Sequence, residues 1–502
     1  MVKALVFVLV IILSSCSVSN SNNDVINVAI SQEPSSLDVV VNTSLYSRII
    51  CVGNIFEKLL ILDGEGKIRP ELASLYSLSD DNKKLTFTLR DDVLFHNGEK
   101  MTEEDVAISM NRWLELYPKA KEIAQNGRFV VEGKNTVTIE SDNSLLFLPY
   151  LIASAPQEAI IVPSSSIGEG IVLSSIVGSG PYKLKEWISG EKIVLERFDS
   201  YSEYGEKSNG KWGKKKAIEN ITYYFVPDSV TRLLGLETGL YDAINDVMST
   251  DRERIENNSN LILLDGDESG SIALVFNKKE GSTKDNEIRE AIALSLDSKT
   301  LMEACYGKVG YSLHSDYMEA WQGDWRVSSP DPYSVLDMER AKKLIEGKEN
   351  LKIRILTSNL SNLDKIAIAA KEELEKVGFS VELIVLDWAS FIETRKNSSE
   401  WDIYISAFTS VPLPQMKSYL SPSFPGYIEE ESSAYLSLKE INNASSLDEA
   451  KEMWQICQQQ LYSYLPCYLP GHYTTSYAYS KKLDNIITQN GFFFWATNKS
   501  DN

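Results

Sequence analysis

Histidine and cysteine are scarce in this chain, three and five among 502 residues. Positive charge is short too: 50 lysines and arginines face 71 acids, a formal net charge of −21. That balance excludes the basic patches by which proteins hold nucleic acid. It equally excludes a basic surface that would cling to anionic lipid, and leaves a soluble, self-repelling one. No Cys-x-x-Cys pair occurs, which argues against a zinc site. A hydrolase needs a nucleophile, a base and an orienting group. The chain has no Gly-x-Ser-x-Gly, no His-Glu-x-x-His and no Walker loop, and Gly178-Ser179-Gly180 lacks the Gly-Lys-Ser/Thr ending that grips phosphate. No enzyme activity, cofactor or metal is expected. Nor is there an internal repeat, and the apolar run from Ala4 to Leu13 falls short of the roughly 20 residues that span a bilayer.

What is there begins with that short run. Lys3, the apolar stretch and Leu13-Ser14-Ser15-Cys16 read as a signal peptide over 1–16 ending in a bacterial lipobox, with Cys16 the lipidated first residue of the mature chain. Residues 17–24 are polar and patternless, a flexible tether. The expected location is the outer face of a cytoplasmic membrane, or an envelope space, held through lipid alone. Of the remaining cysteines, Cys457 and Cys467 keep two readings, a disulfide in an oxidising compartment or free buried thiols.

Residues 85–112 hold the clearest local pattern. Leu85, Phe87 and Leu89 alternate with polar residues, predicting a half-buried strand. His96-Asn97-Gly98 predicts a turn, and Thr102 with Asp105 a capped helix carrying Val106, Met110, Trp113 and Leu114. Elsewhere strands are predicted at Val25–Ile30, 132–140, 182–187, 193–196, 221–226, 240–245 and 272–277. Further on, strands at 351–356, 381–386 and 402–408 alternate with helices at 363–377 and 388–396, a βαβ pattern that makes a parallel sheet. Pro70 is read as leading a helix.

Three segments carry a resemblance. Leu89–Arg112 (LRDDVLFHNGEKMTEEDVAISMNR), Gly178–Asp199 (GSGPYKLKEWISGEKIVLERFD) and Ile288–Gly307 (IREAIALSLDSKTLMEACYG) resemble, in order, the signatures of the family 5 extracellular solute-binding proteins. These serve oligopeptide, dipeptide and nickel ABC importers. The resemblance implies an α/β, two-lobed periplasmic-binding-protein fold of type II, of the large cluster with an extra subdomain in the N-terminal lobe. It divides the chain into a first lobe (25–53, 172–268 and 474–502), an inserted subdomain (54–171) and a second lobe (269–473), with crossovers near Ser269 and Gly471. It further implies a monomer that encloses a peptide or peptide-like solute and delivers it to permease and ATPase subunits. The alternatives are a nickel chelate, a modified or opine-like amino acid, or a surface lipoprotein that senses ligand without transport.

In an open α/β sheet the carboxyl ends of strands face the ligand crevice. That places Trp388, Thr409 and Ser410 as second-lobe candidates, with Ser31 and Gln32 from the first lobe and His472 near the second crossover. Peptide-binding members of the resembled family carry an Asp in the loop that is 406–414 here, for the peptide's ammonium. This loop has no acid, so the free α-ammonium is not expected to be the main recognition feature; Asp387 is the first substitute.

Overall fold

The computed structural model describes residues 24–500 except 64–65, 155, 205–217, 324, 328–330, 350, 487–492 and 496. Cys16, the signal peptide and the tether up to residue 23 lie outside the described residues. Among the described residues no helix is long and apolar enough to cross a membrane.

The alternation around Leu85 is realised in the strand Lys84–Leu89, whose Leu85, Phe87 and Leu89 are buried. It lies within a four-stranded antiparallel sheet, ordered Ala73–Leu78, Lys84–Leu89, Thr136–Glu140, Phe129–Gly133. Thr102 caps the helix Glu103–Leu116: its hydroxyl accepts the Asp105 N–H at 3.2 Å, and the Asp105 carboxylate accepts the Thr102 N–H at 3.0 Å. Two otherwise orphaned donors are thereby satisfied. At the far end Asn111 accepts the Phe129 N–H and donates to the Phe129 carbonyl, so its amide fixes helix to sheet.

Two expectations fail here. Pro70 starts no helix; Ile68–Pro70 pairs with Leu60–Leu62, and Ala73–Leu78 joins the sheet. Proline fits at such an edge, where no N–H is asked of it. Residues 132–140 form no single strand. Phe129–Gly133 and Thr136–Glu140 make a hairpin turned at Asn135, whose φ of 54° an asparagine tolerates.

The His-Asn-Gly turn and the Gly-Ser-Gly-Pro-Tyr stretch turn out to be one structural unit. His96 Nε2–H donates to the Gly180 carbonyl at 3.0 Å, and the Gly178 N–H donates to Nδ1 at 3.2 Å. A Cβ at Gly178 or Gly180 would stand 2.0 or 2.1 Å from the backbone oxygens of Ile55 and Asn54, so the close approach requires glycine. Both ring nitrogens of His96 are committed in its neutral form. Burial drives its pKa down from 6.5 to about 4. The unfolded chain takes up the proton first, so this stability is complete above pH 6.5 and is lost as pH falls toward 4. The loss is on the order of 3 kcal/mol at most. Urea midpoints measured between pH 7 and 4 should fall more steeply for the wild type than for His96→Gln. Equal slopes would remove His96 as the cause.

Eleven strands form the main sheet. In chain order they are β1 (Val25–Ile30), β2 (Tyr182–Ile188), β3 (Lys192–Arg197), β4 (Asn220–Phe225), β5 (Ala243–Ile244), β6 (Leu261–Phe276), β7 (Tyr311–Ser312), β8 (Lys352–Ser358), β9 (Ser380–Leu386), β10 (Ile403–Thr409) and β11 (Cys467–Ser480). Across the sheet they run β9-β8-β10-β6-β11-β5-β1-β4-β3-β2, with β7 paired to β11. β8 is parallel to β9 and β10, the βαβ arrangement expected from the alternation of strands and helices. The helix Leu363–Val377 between β8 and β9 buries Ile366, Ala370 and Leu374 and stops at Gly378 with φ 121°.

Two long antiparallel strands join the halves. The first part of β6 pairs with the end of β11 beside β5, and its last part pairs with β10. Ser269 and Gly471, the expected crossover residues, lie on these two strands. The ladder between them slips at Asp265/Glu268, Glu268/Gly270 and Ile272/Leu274. Only the second part of β6 was predicted. Its first part, with Asp265-Gly266-Asp267-Glu268 in the middle, carries no apolar alternation and is a strand because β11 supplies its partners. Cys51, Cys305, Cys457 and Cys467 are free and buried, which decides between the two readings of Cys457 and Cys467 in favour of thiols.

Candidate functional site

Where the ladder slips, β6 and β11 floor a cavity of about 130 Å³. Gly266–Ser269 come from β6 and Tyr473, Thr475 and Tyr477 from β11. Thr409, Ser410 and Val411 at the end of β10 stand on one side with Trp321, and Leu45, Arg48, Ser154 and Pro156 on the other. Drug-sized ligand sites run to roughly 300–1,000 Å³. The walls are therefore drawn close together, and a larger solute requires them to separate.

The floor is tied laterally. Ser410 N–H donates to the Ser269 carbonyl at 2.8 Å, and the Thr475 N–H donates to Ser269 Oγ at 3.1 Å. Trp321 Nε1–H donates to the Glu268 carbonyl at 3.1 Å, which holds the indole against the cavity. Tyr473 lies parallel to Tyr306 with ring centroids 6.3 Å apart.

Two charges of opposite sign reach the cavity. Arg48, on the helix Leu45–Cys51, spends Nε on buried Glu158 at 2.8 Å. Burial pushes the Glu158 carboxyl up, yet Lys58 and Arg48 hold it below the usual carboxylate range. Among the described residues no hydrogen bond or ion pair takes up the terminal nitrogens of Arg48. Asp267 is exposed; its carbonyl accepts the Ser269 hydroxyl at 3.3 Å, and its carboxylate makes no hydrogen bond or ion pair among the described residues.

Below the floor lies a buried polar cluster. Lys417 Nζ meets Glu319 Oε1 at 2.7 Å with side-chain exposures of 1% and 0%, and Ser410 Oγ donates to Glu319 Oε2 at 3.1 Å. His472 Nε2–H donates to the Asp316 carbonyl at 2.9 Å, and its ring stacks on His314 at 4.0 Å. His314 Nε2 donates to Glu268 Oε1 at 2.9 Å. Burial pushes the Glu268 carboxyl up, but His314, Ser312 and the Ala320 N–H outweigh it and keep the group ionised. Glu268, His314 and His472 are the residues among those described whose donor atoms come close enough to hold a metal ion.

Of the six residues expected to touch ligand, Thr409 and Ser410 line the cavity, although the Ser410 hydroxyl is engaged by Glu319. Trp388 does not reach it. It is 42% exposed and stacks on Phe391 within its own helix, Trp388–Thr394. Asp387 caps that helix by accepting the Ser390 N–H. Ser31 donates to Asp246 Oδ2 at 2.7 Å, beside Tyr46, and Gln32 is exposed; neither lines the cavity. His472 has no exposed surface and lies beneath the floor. Arg48, Asp267 and Trp321 were missed. Each belongs to a segment with no pattern of its own, and they converge only through tertiary structure.

Residues 67–430 match the bacterial extracellular solute-binding proteins, family 5, middle region. The oligopeptide-binding protein AppA of Bacillus subtilis is 24% identical over 448 residues, covering 80% of this chain and 78% of AppA. The nickel-binding protein NikA of Staphylococcus aureus is 24% identical over 418 residues, covering 82% and 79%. The solved structure of AgaA from A. tumefaciens R10, in complex with agropinic acid, superposes with a TM-score of 0.74 at 22% identity, covering 95% of this chain and 99% of that one.

Proposed function

This chain belongs to the family 5 bacterial extracellular solute-binding proteins, and on that premise we propose that it binds a peptide-like zwitterion between its lobes and passes it to an ABC importer. The observation that carries the reading is the pair of opposite charges at one cavity, Arg48 and Asp267, above a wall of tyrosine, tryptophan and hydroxyl groups. An arginine fork suits a carboxylate, and an unpaired aspartate suits an ammonium. This proposal departs from the sequence expectation that the free α-ammonium is not the main recognition feature. Loop 406–414 supplies no acid, but β6 does.

Family members are binding proteins, not enzymes, and sit in the periplasm or outside the cell. AppA of B. subtilis is an oligopeptide-binding protein, NikA of S. aureus binds nickel, and AgaA was solved with agropinic acid. A small amino-acid derivative suits the limited volume of this cavity. In the proposal the chain works as a monomer, partners a permease and an ATPase, and hangs from the membrane by lipid on Cys16. Ligand binding swings the lobes about β6 and β11.

Native mass spectrometry of protein extracted from the membrane fraction without refolding tests both parts. The expected result is a retained zwitterion, from a protein that Cys16→Ser shifts to the soluble fraction. A retained ligand without an amine or a carboxylate would defeat the specificity reading, and a Cys16→Ser protein still anchored would defeat the lipid reading.

A further inference from the structure

The geometry points to a resident divalent metal site of the zinc and nickel class beneath the cavity floor, formed by His472 Nδ1, His314 and the Glu268 carboxylate. The site goes beyond the solute-binding reading. His314 and His472 lie under the floor, Glu268 belongs to the floor itself, and the site takes a bare ion as part of the protein.

The argument starts from one atom. Because the Asp316 carbonyl can only accept, His472 carries its hydrogen on Nε2, and Nδ1 presents a lone pair. That nitrogen is fully buried and has no hydrogen-bond partner among the described residues. It faces Glu268 Oε2 at 3.9 Å and Glu319 Oε1 at 3.8 Å, so three electron-rich atoms converge with no hydrogen between them. A buried acceptor without a donor costs free energy, and a cation removes that cost. Three carboxylates (Glu268, Asp316, Glu319) outnumber two fixed cations in the cluster (Lys417, Arg326), leaving room for added positive charge.

The chemistry of the donors selects the ion. Two imidazoles and a carboxylate suit zinc or nickel, while magnesium and calcium want oxygen. The carbonyl behind His472 is the orienting partner that metal-bound histidines ordinarily have. The donor atoms already lie within 4.8 Å of one another. One ion cannot lie in the planes of two stacked rings 17° apart. On metal uptake His314, the more exposed of the two at 14%, therefore turns and gives up its hydrogen bond to Glu268.

The test is calorimetric titration of chelator-stripped protein with zinc chloride, and separately nickel chloride, with no solute present. The wild type should take up one equivalent at about 1 µM or tighter, and His314→Gln and Glu268→Gln should each bind about tenfold or more weakly. Both variants keep all four buried thiols, so loss of uptake assigns the metal to this cluster. X-ray absorption of the zinc protein should then show two imidazoles. Absence of stoichiometric uptake by the wild type, or unchanged uptake in both variants, overturns the site. The titration contains no solute, so its outcome is independent of whether the cavity binds a zwitterion.

Discussion

Replacing Lys417 with methionine should cost roughly 3–5 kcal/mol of stability. Methionine fits the space of the lysine stem, but it leaves the Glu319 carboxylate without its counter-ion in a place water does not reach, since neither partner exceeds 1% exposure. The Glu319 N–H is already bonded to Gln322 Oε1, and its Oε2 receives only the Ser410 hydroxyl. Arg326, the other fixed cation of the cluster, is engaged with Asp316, and His472 turns only a lone pair toward Glu319. Adding Glu319→Gln should restore most of the loss, because the cost lies in the stranded charge rather than in the pair itself. Urea unfolding of the two singles and the double gives the coupling directly. A Lys417→Met protein within about 1 kcal/mol of the wild type would mean that Glu319 is neutral or hydrated.

The second large effect concerns ligand. Asp267→Asn should weaken a free-amine peptide or amino-acid derivative by roughly 10–100-fold, since a hydrogen bond to a charged group contributes about 1.5–3 kcal/mol and 1.4 kcal/mol is a factor of ten. The N-acetylated form of the same ligand should bind the wild type and the variant nearly alike. Asn keeps the shape of Asp, so fold and wall contacts persist. Calorimetry with the matched pair reads the difference, and equal losses for both forms would show that Asp267 does not meet the amine.

How far the sequence led follows from the range of each signal. The strand, turn and capped helix between Lys84 and Leu116 were legible because every determinant lies within a few residues of its partner. Thr409 and Ser410 were legible through a rule about strand ends that survives without knowing the neighbours. The helix read at Pro70 failed because two hairpin partners outweighed a local start signal. The first part of β6 was invisible for a related reason: Asp265 to Glu268 becomes a strand only against Thr474–Ser476, some 200 residues away. The charge pair at the cavity needed the same closure. Arg48 is aimed by Glu158, and Asp267 is presented by a strand that β11 holds in place.

The strand order has a consequence for synthesis. β11 lies in the middle of the main sheet, between β6 and β5, yet 190 residues of chain separate the end of β6 at Phe276 from the start of β11 at Cys467. Until those intervening residues and β11 have been made, β6 lacks one neighbour and β5 another. Such long-range pairing is slow, so the seam of the nascent chain stays open until β11 emerges. A polypeptide that cannot lock its central seam early remains threadable, the condition for crossing a membrane unfolded before the seam closes on the far side.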